Sequence, residues 1–114
     1  MLNIINLSSF TKDAKLLHKK YKQLPHDLKE LKRVLLKSPK AGVSLGNDLY
    51  KIRLANSSIP TGKSDGFRVV YYYFVANELT NENNLYLLTL FSKRDIENIS
   101  DDKLLTILQQ HYPI

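Results

Sequence analysis

The chain has 114 residues, 43% hydrophobic and 25% charged, proportions that describe one compact globular domain over 1–114. It has no cysteine, which excludes disulfides and thiolate zinc sites, and its longest apolar stretch, Phe67 to Ala76, is interrupted by Arg68 and falls far short of the ~20 residues of a membrane span. Seventeen Lys and Arg against eleven Asp and Glu give +6, with residues 1–57 at net +8 and residues 58–114 at net −2.

Leu2 to Leu7 alternates loosely and reads as a first strand, not as a secretory signal, because it has no basic segment and carries Asn3 and Asn6. A soluble, cytoplasmic protein is the expectation. Ser8-Ser9 has the chemistry of a helix cap. From Phe10, the apolar residues Phe10, Ala14, Leu17 and Tyr21 recur at helical spacing among lysines. Pro25 breaks this helix and opens a second one, which uses Leu28, Leu31 and Leu35 and stops at Ser38 before Pro39. Two helices joined so tightly form a hairpin.

Residues 39–48 carry turn chemistry without periodicity. Leu49 to Leu54 then alternates Tyr50, Ile52 and Leu54 against Lys51 and Arg53, the pattern of a half-buried strand. Asn56 to Gly66 reads as a loop, and Phe67 to Ala76 as a central strand buried on both faces. Asn77 to Asn84 reads as a hairpin loop, Leu85 to Phe91 as the last strand, and Asp95 to Ile99 as a single turn. A final helix is capped by Ser100, with Asp101 and Asp102 placed favourably against its dipole. The expected fold class is α+β in the order β-α-α-β-β-β-α: a small, mostly antiparallel twisted sheet with the helical hairpin on one face and a C-terminal helix.

Side chains two apart on a strand share a face, so Lys51 and Arg53 project together. Arg68 interrupts an apolar run and must reach solvent, a ligand or a carboxylate. Lys93 and Arg94 leave the last strand together. In a meander these five cations converge on one shallow surface, where they can neutralise a phosphodiester, stabilise the phosphorane formed when a ribose 2′-hydroxyl attacks it, and favour a neutral lysine as base. That chemistry calls for no metal or other cofactor. Charged strand ends also serve simply to keep a sheet soluble, and both readings stand on the residues alone. Tyr72 shares a face with Arg68 and can stack on a base; His111 can serve as acid or base. His18 and His26 have no carboxylate at metal spacing. Residues 10–40 hold ten basic and three acidic side chains, a surface suited to RNA phosphates or an acidic partner.

Leu49-Tyr50-Lys51-Ile52-Arg53-Leu54, Gly66-Phe67-Arg68-Val69-Val70-Tyr71-Tyr72 and Leu87-Leu88-Thr89-Leu90-Phe91-Ser92-Lys93-Arg94, in this order, resemble the RelE/ParE superfamily of bacterial toxins. The Gly-Lys loop before the long strand and the run of tyrosines are most similar to the HigB branch. The resemblance covers roughly residues 28–108. It implies a RelE-like fold and the toxin of a type II toxin–antitoxin pair: a ribosome-dependent endoribonuclease that cleaves messenger RNA in the A site and inhibits translation. It implies Lys51 as general base, Arg53 and Arg68 as phosphate and transition-state stabilisers, and Lys93 and Arg94 as further cationic contacts, with Lys63, Tyr72 and His111 toward the substrate. Implied partners are the 70S ribosome, messenger RNA and a cognate antitoxin, HigA-like with a helix-turn-helix, and no membrane. One departure is that the substrate-stacking tyrosine of RelE members falls near Ser100 here. ParE members share the fold and inhibit DNA gyrase, so the alternatives are a gyrase inhibitor and a non-catalytic remnant that only binds an antitoxin.

Overall fold

The computed structural model describes residues 2–59, 65–77, 79, 82–96 and 98–111. The elements are β1 (Leu2–Asn6), α1 (Ser8–Lys20), α2 (Leu24–Lys37), β2 (Val43–Gly46), β3 (Leu49–Leu54), β4 (Phe67–Asn77), β5 (Glu82–Ser92) and α3 (Asp101–Gln110). They form an α+β fold with a five-stranded mixed sheet in the order β1-β5-β4-β3-β2. From β2 to β5 the strands run as an antiparallel meander, and β1 joins β5 in parallel. No helix among the described residues is long and apolar enough to cross a membrane.

The core lies between the two long helices and one face of the sheet. Phe10, Leu24, Leu31 and Leu35 from the helices, with Tyr21 between them, pack on Leu54, Phe67, Val69, Tyr71, Tyr73, Leu85, Leu87 and Leu90. Odd-numbered residues of β4 thus point at the helices, and the alternation of a strand sends Arg68, Val70, Tyr72 and Phe74 to the reverse face. Val70, Leu88, Phe91 and Ile107 are also buried but lie outside the main cluster. Alternation places Val70 and Phe91 on the reverse side, opposite Thr89 and Arg68, and Ile107 is the buried residue of α3.

Several elements differ from the reading of the sequence. Residues 43–46 form a strand within the segment expected to be turn. β2 is exposed along its whole length, so it has no buried face and no periodicity to read. The hairpin to β3 turns through Gly46, Asn47 and Asp48, all with positive φ, the backbone that tight two-residue hairpins require. Tyr71 anchors the approach to β2: its hydroxyl donates to the Pro39 carbonyl at 2.8 Å and accepts from the Gly42 N–H at 3.1 Å. Its ring stacks on Tyr50, with centroids 5.3 Å apart. The β4–β5 ladder extends to Asn77 and Glu82, so both strands run into the expected loop.

Ser8 and Ser9 do not cap α1. Leu7 occupies the cap position without a side-chain hydrogen bond, and Ser9 Oγ instead donates to the Leu88 carbonyl. The reason is that β1 pairs with β5 only as far as Leu87, and α1 continues along the edge that β1 leaves open. Asp13 completes this cover, its carboxylate accepting from Thr89 Oγ1 at 2.6 Å and from the Leu90 N–H at 3.1 Å. An open strand edge is a template for association, and α1 closes it with polar contacts. Ser100 does cap α3, accepting from the Lys103 N–H at 3.2 Å. Asp13→Ala would leave two part-buried donors on β5 without their acceptor, a loss of about 1–3 kcal/mol. Thermal unfolding followed by circular dichroism should show a midpoint lower by several degrees.

Candidate functional site

Three strand ends meet where the cations lie. Gly66 is buried at the start of β4, and a Cβ there would collide with the Leu54 carbonyl oxygen. The Lys93 N–H donates to the Gly66 carbonyl at 3.0 Å. Backbone contact at this glycine therefore draws the end of β3, the start of β4 and the exit from β5 together. The register that results places Leu54 opposite Phe67, and Phe67 opposite Ser92.

In that register Arg53 stands directly opposite Arg68. The Tyr73 N–H donates to the Asp48 carbonyl, and alternation from that bond makes Arg53 and Arg68 a non-hydrogen-bonded pair, with Cα atoms about 4.5 Å apart and side chains close. Like charges so placed oppose the fold. Arg68 is only 6% exposed, and its guanidinium donates to the Phe67 carbonyl at 3.2 Å. Burial, and after it the charge of Arg53, hold Arg68 below the usual arginine range, while Asp65 acts in the opposite sense. Of the surroundings the sequence left open for Arg68, Asp65 supplies a carboxylate near enough to act on its charge.

Lys51 pairs with Val70, two positions along the ladder from Arg53 and Arg68, and so shares their face. It lies about 7 Å from Arg53 along β3. Its ammonium donates to Asn98 Oδ1 at 3.3 Å, a contact from the segment before α3 that nothing in the sequence pattern signalled. The same Asn98 oxygen accepts from the Ile99 N–H at 2.9 Å, which fixes it in place. Lys93 and Arg94 follow β5 at the same end of the sheet. Their turn is tied to α1 by Lys20 and Asp95, 2.7 Å apart, and by Tyr21 Oη and Ser92 Oγ, 3.3 Å apart. The hydrogen bond to Asp95 is the main cause holding the Lys20 ammonium above its ordinary range.

Tyr72 is on the cationic face but about 13 Å along β4 from Arg68. It belongs to an aromatic group with Phe74, at 6.4 Å, and Tyr86, at 6.3 Å. Burial, then Asp48 and Tyr86, hold its phenol above the ordinary value, so it keeps its proton at neutral pH. The structure does not bring His111 to the cations. Its Nε2 lies 3.4 Å from Ser8 Oγ, at the start of α1, and ten residues of α3 separate it from Ser100, a helix length of about 15 Å. A C-terminal helix that crosses the sheet carries its last residue away from the strand end where it began. Lys63 lies outside the described residues.

Beside the cations, α2 and the β2–β3 hairpin enclose a groove of about 420 Å³ lined by Leu31, Val34, Ala41, Val43, Lys51 and Arg53, among others. Among the described residues, no group of three or more His, Asp or Glu side chains is arranged to hold a metal ion. No family model matches the chain, and no curated protein matches it.

The opposition of Arg53 and Arg68 makes a stability prediction. Arg53→Gln removes one charge of a repelling pair from an exposed position, so it should stabilise the protein by a few tenths to about 1 kcal/mol. A midpoint raised by a few degrees in thermal unfolding at low salt, and an effect that shrinks in high salt, are the expected results.

Proposed function

We propose that the chain is the toxin of a type II toxin–antitoxin pair, an endoribonuclease that cleaves messenger RNA in the ribosomal A site and so inhibits translation. The observation that carries this reading is the direct pairing of Arg53 with a buried Arg68, two ladder positions from Lys51 on the same face. A fold tolerates two guanidinium groups in this relation at a cost, and a phosphodiester between them turns the repulsion into attraction. The RelE-like order of elements, with the added edge strand β2, supports the same reading.

In the proposed reaction the ribose 2′-oxygen attacks the adjacent phosphorus, and the bond from phosphorus to the 5′-oxygen breaks. Lys51 is the base that takes the 2′-hydroxyl proton. Arg53 and Arg68 hold the non-bridging oxygens, whose negative charge increases in the phosphorane, and preorganised donors of this kind stabilise such charge most strongly where water is scarce. Lys93 or Arg94 reaches the leaving 5′-oxygen and stabilises its charge, and this oxygen takes up a proton from solvent water. The products are a 2′,3′-cyclic phosphate and a free 5′-hydroxyl end. The ribosome supplies orientation of the substrate, the part of the barrier that a shallow open surface cannot supply by itself.

Primer extension on a defined message in a purified translation system, with and without ribosomes, tests the proposal. Cleavage at A-site codons should require ribosomes. Lys51→Ala should lower the rate by a factor of about 10²–10⁴, with the folded circular dichroism spectrum retained. Lys51→Arg should be equally inactive, because a guanidinium keeps the charge but cannot accept the proton. Full activity in Lys51→Arg would remove Lys51 as the base and leave it an electrostatic role. An intact message with folded wild-type protein would overturn the reading, and inhibition of gyrase supercoiling would then identify the alternative.

A further inference from the structure

The acidic side chains of α1 and α2 are all engaged within the protein. Asp13 binds the edge of β5, Asp27 is buried and accepts from the Ser57 N–H at 3.1 Å, and Glu30 holds Arg33. On α1, Lys20 is held by Asp95. The exposed lysines Lys12, Lys15 and Lys19 have no acidic partner among the described residues. At 100° per residue all three fall on the side of α1 opposite Phe10, Ala14 and Leu17, spaced about 4.5 and 6 Å along the axis. Like charges at i,i+3 and i,i+4 weaken a helix, so the row costs stability unless an anion meets it. Lys29, Lys32 and Lys37 of α2 are exposed as well.

We infer that this helical layer is a docking surface for the phosphate backbone of double-helical RNA. It belongs to the side of the sheet away from Arg53 and Arg68, so it is a second nucleic-acid surface. A double helix presents about six phosphate charges over the roughly 10 Å that the row spans. Lysine is depleted in the cores of protein interfaces, and the row carries no aromatic ring on which single-stranded bases would stack. Asn6, Ser8 and Thr11 line a cavity of about 450 Å³ with Lys12 and Lys15. These short polar side chains beside the cations suit the 2′-hydroxyls that line the shallow groove of an RNA helix. The ribonuclease reading accords with RNA as the occupant, but docking does not depend on cleavage.

Fluorescence anisotropy with a labelled 20-base-pair RNA duplex tests the inference, using the full chain carrying Arg68→Ala so that no cleavage can intervene. The triple substitution Lys12→Gln, Lys15→Gln and Lys19→Gln should weaken binding by roughly tenfold or more and lower the slope of log affinity against log salt by about 2–3. The triple substitution of the same lysines by arginine should restore both. The RNA duplex should bind more tightly than a DNA duplex of the same sequence or poly-L-glutamate of the same charge. Unchanged affinity and slope in the folded glutamine variant would overturn the surface. DNA or polyglutamate binding as tightly as RNA would overturn the assignment of its occupant. Because the readout is binding alone, failure here and failure of cleavage are separate results.

Discussion

Close approach of three backbones at Gly66 sets the register on which the cationic face depends. Without a side chain, Gly66 lets the Leu54 carbonyl oxygen sit where a Cβ would be, while its own carbonyl accepts from Lys93. The side-chain period of a strand is two, so a slip of one residue would send Arg68 into the apolar layer under the helices and turn Phe67 and Val69 outward. The core enforces the same register from the other side, since Phe67, Val69 and Tyr71 are fully buried. Hydrophobic packing thus holds two arginines opposite each other, although their own interaction resists it. Functional surfaces are commonly where such local conflicts are found.

Charge is distributed by the same logic through the rest of the molecule. Two carboxylates of the helices turn inward and perform structural work, Asp13 at the open edge of β5 and Asp27 at the loop after β3. Cations are left outside, on both sides of the sheet. One set is arranged around a buried arginine, with Asn98 bonded to Lys51 and the charge of Asp65 acting on Arg68. The other is a row of exposed ammonium groups on a helix. The first arrangement suits a reacting phosphate held in one geometry, and the second suits a salt-sensitive grip on many phosphates.

The parts of this structure legible in the sequence are those with one buried face. Alternation in residues 49–54 and the aromatic run from Phe67 located β3 and β4, and with them the common face of Lys51, Arg53 and Arg68. Helical spacing of Phe10, Leu17, Leu31 and Leu35 located α1 and α2. β2 was illegible because both its faces are wet, and its Gly46-Asn47-Asp48 turn looked like loop composition. Ser8 and Ser9 suggested a cap because their chemistry fits one, but the open edge of β5 gave Ser9 a different partner. Contacts such as Lys51 with Asn98 and the backbone approach at Gly66 join residues distant in the chain. No periodicity encodes them. The place of His111 is likewise set by a contact distant in the chain, its Nε2 lying beside Ser8 Oγ.

The reaction proposed for the cationic face turns on the identity of the nucleophile. A message carrying a single 2′-deoxynucleotide at the scissile position, presented in the A site of programmed ribosomes beside its all-ribose counterpart, isolates that atom. With the 2′-hydroxyl as nucleophile, the all-ribose message is cut to a 2′,3′-cyclic phosphate end, and the substituted message stays intact at that position while remaining bound. Cleavage of the substituted message at the same bond would contradict the mechanism, and an uncut all-ribose message would contradict the ribonuclease assignment itself.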